Sequence, residues 1–204
     1  MNLRQIKETI ISKLFIVYLE LVFKTSNIVL TEFKFDINNS IIGFWHGDSY
    51  SMNLVIKKLI SEKFSLNVIV TADARGNYIE NVLKKYKAKA LRMPDGIKMK
   101  SFLRDLKLVS KKENESVAIA LDGPLGPYHI PKKIGFSLSR EANKKFIGVK
   151  LDYSRKISLK SRWDKYIIPL PFTTIKININ DFGMVTLEDL KNFKYYSEKI
   201  KEAL

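Results

Sequence analysis

The feature that most constrains the fold is a repeated alternation between short apolar runs and longer segments with helical spacing. Apolar runs of strand length, such as "SLNVIVT" at 65–71 and "VAIALD" at 117–122, precede segments whose apolar residues recur every three or four positions. Parallel strands need crossover connections of this length, and helices in the crossovers cover the faces of the sheet. The pattern therefore predicts an α/β fold with a mostly parallel sheet flanked by helices.

The same alternation places the individual elements along the chain. We predict strands at 27–35, 41–46, 65–71, 89–93, 117–122 and 146–153, and helices at 49–60, 77–86, 98–111, 136–144 and 187–204. The stretch 157–180 is rich in strand-forming residues and is expected to form a short strand-rich addition. With 204 residues the chain fits one domain, which we assign to residues 27–204.

Residues 1–26 are predicted to form an apolar, amphipathic helix that precedes this domain. Ile10, Leu14 and Leu21 share one broad face, while Lys13 and Glu20 lie on the opposite side. These charges interrupt the apolar stretch of roughly 20 residues that a membrane-spanning helix needs. The segment also lacks the cleavage site of a secretory signal. Two interpretations remain open, a helix packed on its own domain and a helix lying in a membrane interface.

The charge balance favours anionic partners. Lys and Arg number 36 against 21 Asp and Glu, a formal net charge of +15, which suits acidic lipid headgroups, phosphorylated substrates or nucleic acid. The lysines are scattered and no nucleic-acid module is recognisable, so nucleic-acid binding is the weaker interpretation. With no cysteine and two histidines, neither a thiolate nor a histidine-rich metal centre is expected.

Polar residues follow several of the predicted strands. His46 and Asp48 come after "IIGFW", Asp73 follows "NVIVT", and Asp122 ends "VAIALD". Ligands of open α/β sheets bind beyond the carboxyl ends of the strands, so these residues are site candidates. A histidine side chain can act as a general base near neutral pH. Its carboxylate partner is not fixed by the sequence, although Asp48 is favoured over Asp122 and Asp73.

The loop "GPLGP" at 123–127 follows Asp122. Its glycines and prolines fix a tight path and allow backbone N–H groups to approach a ligand closely. Loops of this composition are also ordinary turns. His129, a little further along, is a weaker candidate than His46, because a histidine in a polar loop is usually solvated.

Taken in order, "FWHGDSYSM", "LDGPLGPYHIPKK" and "SRWDKYIIPLPF" resemble the lysophospholipid acyltransferase superfamily. The resemblance is to a bacterial branch with Trp-His-Gly and Asp-Gly-Pro-x-Gly-Pro motifs, which includes some late acyltransferases of lipid A, and it extends over residues 40–180. It implies a glycerolipid acyltransferase-like fold. The implied activity is transfer of a fatty acyl chain from a carrier thioester to a hydroxyl of a lysophospholipid or a lipid A-type glycolipid.

The resemblance also implies roles for individual residues. His46 would be the general base, with Asp48 expected beside it as the second catalytic residue, and no covalent acyl-enzyme is implied. Trp163 and Asp164 match the final block and are interpreted as structural. The residues expected to bind substrate, including basic residues that would compensate for a missing arginine, are Arg92, Asp122, Gly123, Pro124, Gly126, Lys132 and Lys133.

The chain departs from the branch at several positions. Leu125 replaces the arginine of the Gly-Pro loop, which removes a bidentate phosphate donor. Acidic residues of the family pattern are absent near Ser51, Arg75 and Asn77. These departures support an alternative, a catalytically decayed lipid-binding protein of the same fold.

The implied chemistry also defines the expected partners. No bound cofactor is needed, and the co-substrate would be the thioester of acyl carrier protein or coenzyme A. The acceptor would be a membrane lipid, and we expect peripheral association with an anionic membrane surface at the cytoplasmic face of the inner membrane. Acyl-chain length, carrier, acceptor and oligomeric state are left open by the sequence.

Overall fold

The computed structural model describes residues 3–31, 37–59, 65–94 and 98–204. Residues 1–2 of the predicted first helix and 32–35 of the predicted first strand lie outside these ranges. The helices are α1 (Leu3–Thr25), α2 (Met52–Leu59), α3 (Ala74–Lys85), α4 (Met99–Ser110), α5 (Lys133–Ala142), α6 (Leu187–Lys191) and α7 (Phe193–Ala203). The strands are β1 (Asn27–Leu30), β2 (Ser40–Phe44), β3 (Ser65–Thr71), β4 (Lys89–Met93), β5 (Glu115–Ala120), β6 (Lys145–Tyr153), β7 (Lys156–Ser158), β8 (Ile167–Pro169) and β9 (Thr174–Met184).

Seven of these strands form one sheet in the order β1-β9-β6-β2-β5-β3-β4. The neighbours β6, β2, β5, β3 and β4 are parallel, and β1 runs parallel to β9. The pairing of β6 with β9 is antiparallel. The predicted α/β fold with a mostly parallel sheet is therefore confirmed.

Helices cover both faces of this sheet. One apolar cluster joins the sheet to α1, α2 and α3, and a second joins it to α4, α5, α6 and α7. Within β5, Val117 and Ile119 belong to the second cluster and Ala118 to the first, because successive side chains of a strand point to opposite faces. Burial on both faces explains why this strand reads as a continuous apolar run.

The last third differs from the predicted strand-rich addition. β7 and β8 do form a separate two-stranded hairpin, but the 11-residue β9 lies within the main sheet beside β6. Ile175 and Ile177 of β9 are almost fully buried. Their period-2 spacing gives the strand an apolar face, and joining the main sheet removes that face from water.

The predicted helix at 187–204 is divided into α6 and α7 at Asn192. A capping box starts α6, since Thr186 and Asp189 exchange hydrogen bonds between side chain and backbone N–H. The apolar spacing continues across the break and does not reveal it in the sequence.

One face of α1 packs on the domain. Leu19 and Val22 are fully buried. The Tyr50 hydroxyl donates to the Phe15 carbonyl at 3.1 Å, and the Tyr18 hydroxyl donates to the Pro169 carbonyl at 2.9 Å. These contacts fix α1 beside α2, which follows β2 and its histidine.

The other face of α1 is apolar and exposed. Leu14 and Val17 are each 65% exposed, and Ile10 and Leu21 about half exposed. Their spacing of three or four residues places them in one stripe along the helix. Among the described residues, no helix combines the length and apolar character needed to cross a membrane.

Candidate active site

The parallel pairing of β2 with β5 brings two motif blocks to the same edge of the sheet. Phe44 and Ala120, the last residues of these strands, are register partners. His46 and Asp122 each follow by two residues. The Asp122 carboxylate, fully buried, accepts the backbone N–H of His46 at 2.9 Å and that of His129 at 3.4 Å. Asp122 therefore ties the two loops together and shapes the backbone that carries the histidine.

The His46 imidazole is paired with a carboxylate from a distant part of the chain. Its Nδ1 lies 2.8 Å from Oδ2 of Asp164, whose side chain is fully buried. The His46 side chain itself is 23% exposed. An ionised carboxylate accepts hydrogen bonds, so Nδ1 carries the proton and Nε2 is left as the basic ring nitrogen.

Asp164 is held by further donors. The Arg162 guanidinium donates to both carboxylate oxygens, from Nε at 2.9 Å and from Nη2 at 2.8 Å, and the Tyr166 backbone N–H donates at 3.3 Å. Burial alone would raise the pKa of Asp164, but the hydrogen bonds from Arg162 and His46 lower that pKa to about 2. The carboxylate is therefore ionised at neutral pH and can stabilise a protonated imidazole.

Two glycines allow the segment carrying Asp164 to come this close. A Cβ on Gly47 would lie 2.4 Å from the Asp164 carbonyl oxygen, and a Cβ on Gly126 would lie 2.6 Å from the Trp163 ring. Gly126 also has a φ of +72°, a conformation that favours glycine. The Trp-His-Gly block, the Gly-Pro loop and the Ser-Arg-Trp-Asp block thus meet around the histidine.

Asp48 does not serve His46. Its carboxylate accepts a hydrogen bond from the Tyr153 hydroxyl at 2.7 Å, and burial raises its pKa to about 6. Both residues lie in a single 3₁₀ turn, where side chains two positions apart point about 120° away from each other around the axis. The predicted pairing of His46 with Asp48 is therefore wrong, and Asp164 takes that position.

A cavity of about 420 Å³ lies beside the pair. His46, Arg162 and Trp163 belong to its lining, as do Gly123, Pro124 and Lys132 of the Gly-Pro loop region. Its remaining walls are mostly apolar and extend between the sheet and helices α2 and α3. They include Phe44, Ile56, Val68, Val70, Ile79, Val82, Leu83 and Ala118.

Some of the residues expected to bind substrate line the cavity and others do not. Gly123, Pro124 and Lys132 line the cavity, and their binding role stays a prediction. Gly126 packs against Trp163, and the Lys133 amine lies 5.8 Å from the centre of the Phe193 ring. Neither of these two residues belongs to the cavity lining.

Arg92 also lies outside the lining. Its guanidinium donates to the Asp73 carbonyl at 3.2 Å and to the Asn77 side chain. The Asp73 carboxylate in turn accepts the Gly76 backbone N–H at 3.2 Å. Arg92 and Asp73 therefore fix the start of α3, at the carboxyl end of β3 that Asp73 was predicted to follow.

The ring of the second histidine, His129, packs against aromatic side chains. The His129 ring stacks on Trp45 with centroids 4.3 Å apart and on Tyr128 with centroids 3.9 Å apart. Burial lowers the pKa of His129 to about 4, so the ring is neutral at physiological pH.

The departures from the family pattern have different surroundings. Ser51 is fully buried, and Leu125 is 88% exposed and outside the cavity lining. Asn77 contacts Arg92. The side chain of Arg75 lies outside the described residues.

Arg162 was not among the predicted site residues, and Asp164 was predicted to be structural. The signal available was weak: two charged residues flank a tryptophan inside a stretch of strand-forming residues. Charges in such a stretch are usually solvated, and only the path of the 159–166 loop brings these two to the histidine.

No family model matches the chain. Over 89 residues it is 33% identical to the uncharacterized protein RP090 of Rickettsia prowazekii (strain Madrid E). That match covers 44% of this chain and 40% of the relative, so it spans less than half of either protein.

A solved structure resembles the whole chain. The 1-acyl-sn-glycerophosphate (LPA) acyltransferase PlsC from Thermotoga maritima aligns with a TM-score of 0.52 and 15% sequence identity. The alignment covers 100% of this chain and 82% of that one. The chain therefore has an acyltransferase-like α/β fold. At this level of identity the likeness is one of fold.

Proposed function

We propose that the protein is an acyltransferase that moves a fatty acyl chain from a carrier thioester to a hydroxyl of a membrane lipid, with His46 as general base. The observation that carries this proposal is the 2.8 Å contact between His46 and the buried Asp164 at the edge of an apolar cavity. The acyltransferase-like fold supports the same reaction class.

The proposed reaction proceeds through one base. Asp164 holds the proton on Nδ1, and Nε2 of His46 takes the proton from the acceptor hydroxyl as its oxygen attacks the thioester carbonyl carbon. The carbon–sulfur bond then breaks, and the departing thiolate receives the proton from the imidazolium. The co-substrate is the thioester of acyl carrier protein or coenzyme A, and no covalent acyl-enzyme forms.

The cavity suits the acyl chain of the donor. Its volume of about 420 Å³ lies within the usual range for small-molecule sites, and its deep walls come from α2, α3, β3 and β5. Burying an alkyl chain there contributes about 0.8 kcal/mol per methylene group. The reactive end of the chain would lie at the polar side, next to His46.

The charged residues at the polar side suit an acceptor with a phosphate group. Leu125 contributes no cation, but Lys132 and Arg162 both belong to the lining that contains His46. The Arg162 side chain is 41% exposed even while it holds Asp164. We therefore favour a lysophospholipid or a phosphorylated lipid A-type glycolipid as acceptor.

The exposed stripe of α1 suits peripheral binding to a membrane. Phe15 belongs to the cavity lining, so the helix that presents Leu14 and Val17 to solvent also borders the proposed chain-binding site. Lysines near an anionic leaflet contribute about 1 kcal/mol each, and the net charge is +15. The proposed location is the cytoplasmic face of the inner membrane.

Vesicle sedimentation tests this membrane contact. The double variant Leu14→Glu/Val17→Glu should bind anionic vesicles at least about tenfold more weakly than the wild type, because both side chains lose their apolar contact. Replacing the exposed Leu108 of α4 by Glu is the matched control and should change binding little. Equal losses from both changes would reject α1 as the membrane-binding face.

Transfer is tested with purified protein, acyl thioesters of both carriers and a panel of lysophospholipid and glycolipid acceptors. Because the chain contains no cysteine, a thiol reagent reports released carrier without background from the protein. The wild type should release thiol with the acceptor present, and mass spectrometry should find the acylated lipid. His46→Gln should abolish both while keeping the thermal unfolding curve.

The outcomes also separate the enzyme from the decayed lipid-binding alternative. Lipid binding without transfer from any thioester would favour the alternative, whereas transfer that survives in His46→Gln would reject the assigned base. Mass spectrometry of lipids from cells with and without the gene would then identify the acyl chain and the acceptor together.

A further inference from the structure

Two segments beside the candidate site carry many cations and almost no acid. Residues 123–133 contain no carboxyl side chain, and residues 153–172 contain only that of Asp164, which is buried against His46. The cationic residues of both segments are all exposed to solvent. Together they form what we call the basic surface, which consists of Lys132, Lys133, Arg155, Lys156, Lys160, Arg162 and Lys165.

The two segments are in contact with each other. The Lys165 amine lies 4.2 Å from the centre of the Tyr128 ring, and Gly126 packs against the ring of Trp163. Both segments also contribute residues to the lining of the cavity beside His46. The basic surface is therefore continuous and adjoins the reactive end of the cavity.

Most of the charges on the basic surface are not neutralised by the protein itself. In the described part of the chain, Arg162 is the only residue of this surface that forms an ion pair, and its partner is Asp164. The Lys156 amine instead lies 5.2 Å from the centre of the Tyr153 ring. Because neighbouring cations without counter-charges repel one another, a surface of this kind favours an anionic partner.

Apolar side chains are exposed among these cations. Leu125 is 88% exposed, and Ile130 and Ile157 are each 47% exposed. Exposed apolar residues surrounded by charged ones are typical of protein interfaces, where the charges orient the partner and the apolar residues are buried by it. The small head group of coenzyme A could contact only part of this surface, whereas an acidic protein could cover it.

The membrane-binding face proposed for α1 lies on a different side of the molecule from α5. α1 packs with the first apolar cluster and α5, which begins at Lys133, packs with the second, so the two helices cover opposite faces of the sheet. Because the proposed transfer forms no covalent acyl-enzyme, donor and acceptor must be present at His46 together. With the lipid acceptor arriving along α1, the basic surface is left for the donor.

We propose that the basic surface is the docking site of an acidic carrier protein, so that the acyl donor is a protein-bound thioester. Lys156, Lys160 and Lys165 lie outside the cavity lining and would contact acidic side chains of the carrier while its thioester reaches His46. This inference rests on the proposed acyl transfer.

A binding experiment tests the docking site without requiring turnover. The probe is fluorescently labelled acyl carrier protein that bears its phosphopantetheine arm, and binding is followed by fluorescence anisotropy. Lys156→Glu/Lys160→Glu should bind the carrier at least about tenfold more weakly than the wild type, because two attractive charges become repulsive. Wild-type binding should also weaken as the salt concentration rises.

The matched control is Lys111→Glu/Lys112→Glu. Both lysines are exposed and precede β5, so they lie at the amino end of that strand, at the opposite edge of the sheet from His46. This variant has the same net charge as Lys156→Glu/Lys160→Glu and should bind the carrier as the wild type does. Thermal unfolding curves should be similar for all three proteins.

A turnover experiment separates docking from catalysis. With the same acyl group, Lys156→Glu/Lys160→Glu should lower kcat/KM for the carrier-protein thioester at least about tenfold, mainly through KM. The same variant should use the thioester of pantetheine, which has no protein part, as well as the wild type does. Equal losses with the two donors would reject docking as the cause.

The inference is overturned if the wild type does not bind the carrier, or if both double variants bind it equally well. A loss of binding to anionic vesicles in Lys156→Glu/Lys160→Glu, with carrier binding unchanged, would also overturn it and assign the basic surface to the membrane. Failure of the proposed transfer gives a different pattern. The carrier would then bind at the basic surface while the wild type turns over no thioester, which would support the docking site and reject the activity.

Discussion

Asp48 and Asp164 are both buried carboxyl groups of the candidate site, yet their environments are opposite. Asp48 is two residues from His46 in the chain and receives one hydrogen bond, from Tyr153. Asp164 is 118 residues from His46 and receives hydrogen bonds from Arg162, from the imidazole and from a backbone N–H. Burial raises the pKa of Asp48 to about 6, whereas the donors around Asp164 lower its pKa to about 2. The carboxylate that pairs with His46 is the one that receives more hydrogen bonds, including charged ones from Arg162. It is not the one that is nearer in the sequence.

The largest expected difference between the two residues is in acyl transfer. Asp164→Asn should lower kcat/KM by roughly 100-fold, because the amide neither fixes the His46 tautomer through a charged acceptor nor stabilises its protonated form. Asp48→Asn should change kcat/KM by less than roughly threefold. Equal losses in the two variants, measured as thiol release with the best donor and acceptor, would contradict this division of roles.

The next largest expected effect on acyl transfer comes from changing Arg162, which holds Asp164 in place. Arg162→Lys keeps the charge but loses the bidentate contact, so Asp164 should hold the imidazole less firmly. We expect a fall in kcat/KM of roughly tenfold, with the loss in kcat larger than the change in donor KM. Lys156→Arg, a matched change beside Tyr153, should leave the rate unaltered. A loss confined to acceptor KM would instead assign Arg162 to acceptor binding alone.

The two carboxyl groups should change the free energy of unfolding in opposite directions as the pH rises. The folded-state pKa of Asp48 is raised from 3.8 to about 6, so its ionisation destabilises the fold as the pH rises from about 4 to about 6. Asp48→Asn should therefore increase the free energy of unfolding by about 1–3 kcal/mol at neutral pH and by much less near about pH 4. Urea unfolding at both pH values measures this, and a gain independent of pH would contradict it.

Asp164 should show the reverse dependence. Its folded-state pKa is lowered from 3.8 to about 2, so it contributes stability that is present above about pH 4 and lost as the pH falls towards about 2. Asp164→Asn should therefore destabilise the protein at neutral pH and have a smaller effect in acid. A variant that is equally destabilised across this range would show that the loss comes from packing.

Much of the fold could be predicted from the sequence. The 2.0 and 3.6 residue periods correctly gave the parallel strands and the order of the helices, because burial on one or both faces imposes those spacings. The carboxyl-end rule likewise brought His46 and Asp122 to one edge, since Phe44 and Ala120 end neighbouring parallel strands. The position of β9 was not predictable, because alternating apolar and polar residues are as typical of a strand in a small separate sheet as of a strand in the main sheet.

The pairing of His46 with Asp164 could not be predicted from the sequence, for a different reason. Which acid reaches His46 depends on the path of the 159–166 loop and on two close approaches that Gly47 and Gly126 permit. Local spacing favoured Asp48, but the 3₁₀ turn points its side chain away. Arg92 was likewise expected to bind substrate because of the resemblance. Its guanidinium is instead hydrogen-bonded to the Asp73 carbonyl, just before α3.

The pairing of His46 with Asp164 is tested most directly by nitrogen NMR of the imidazole rings, which the presence of only two histidines makes simple to assign. At neutral pH the wild type should show His46 protonated on Nδ1, with a strongly deshielded Nδ1 proton that disappears in Asp164→Asn and persists in Asp48→Asn. A His46 signal that is unchanged in Asp164→Asn, or that is lost in Asp48→Asn, would contradict the account.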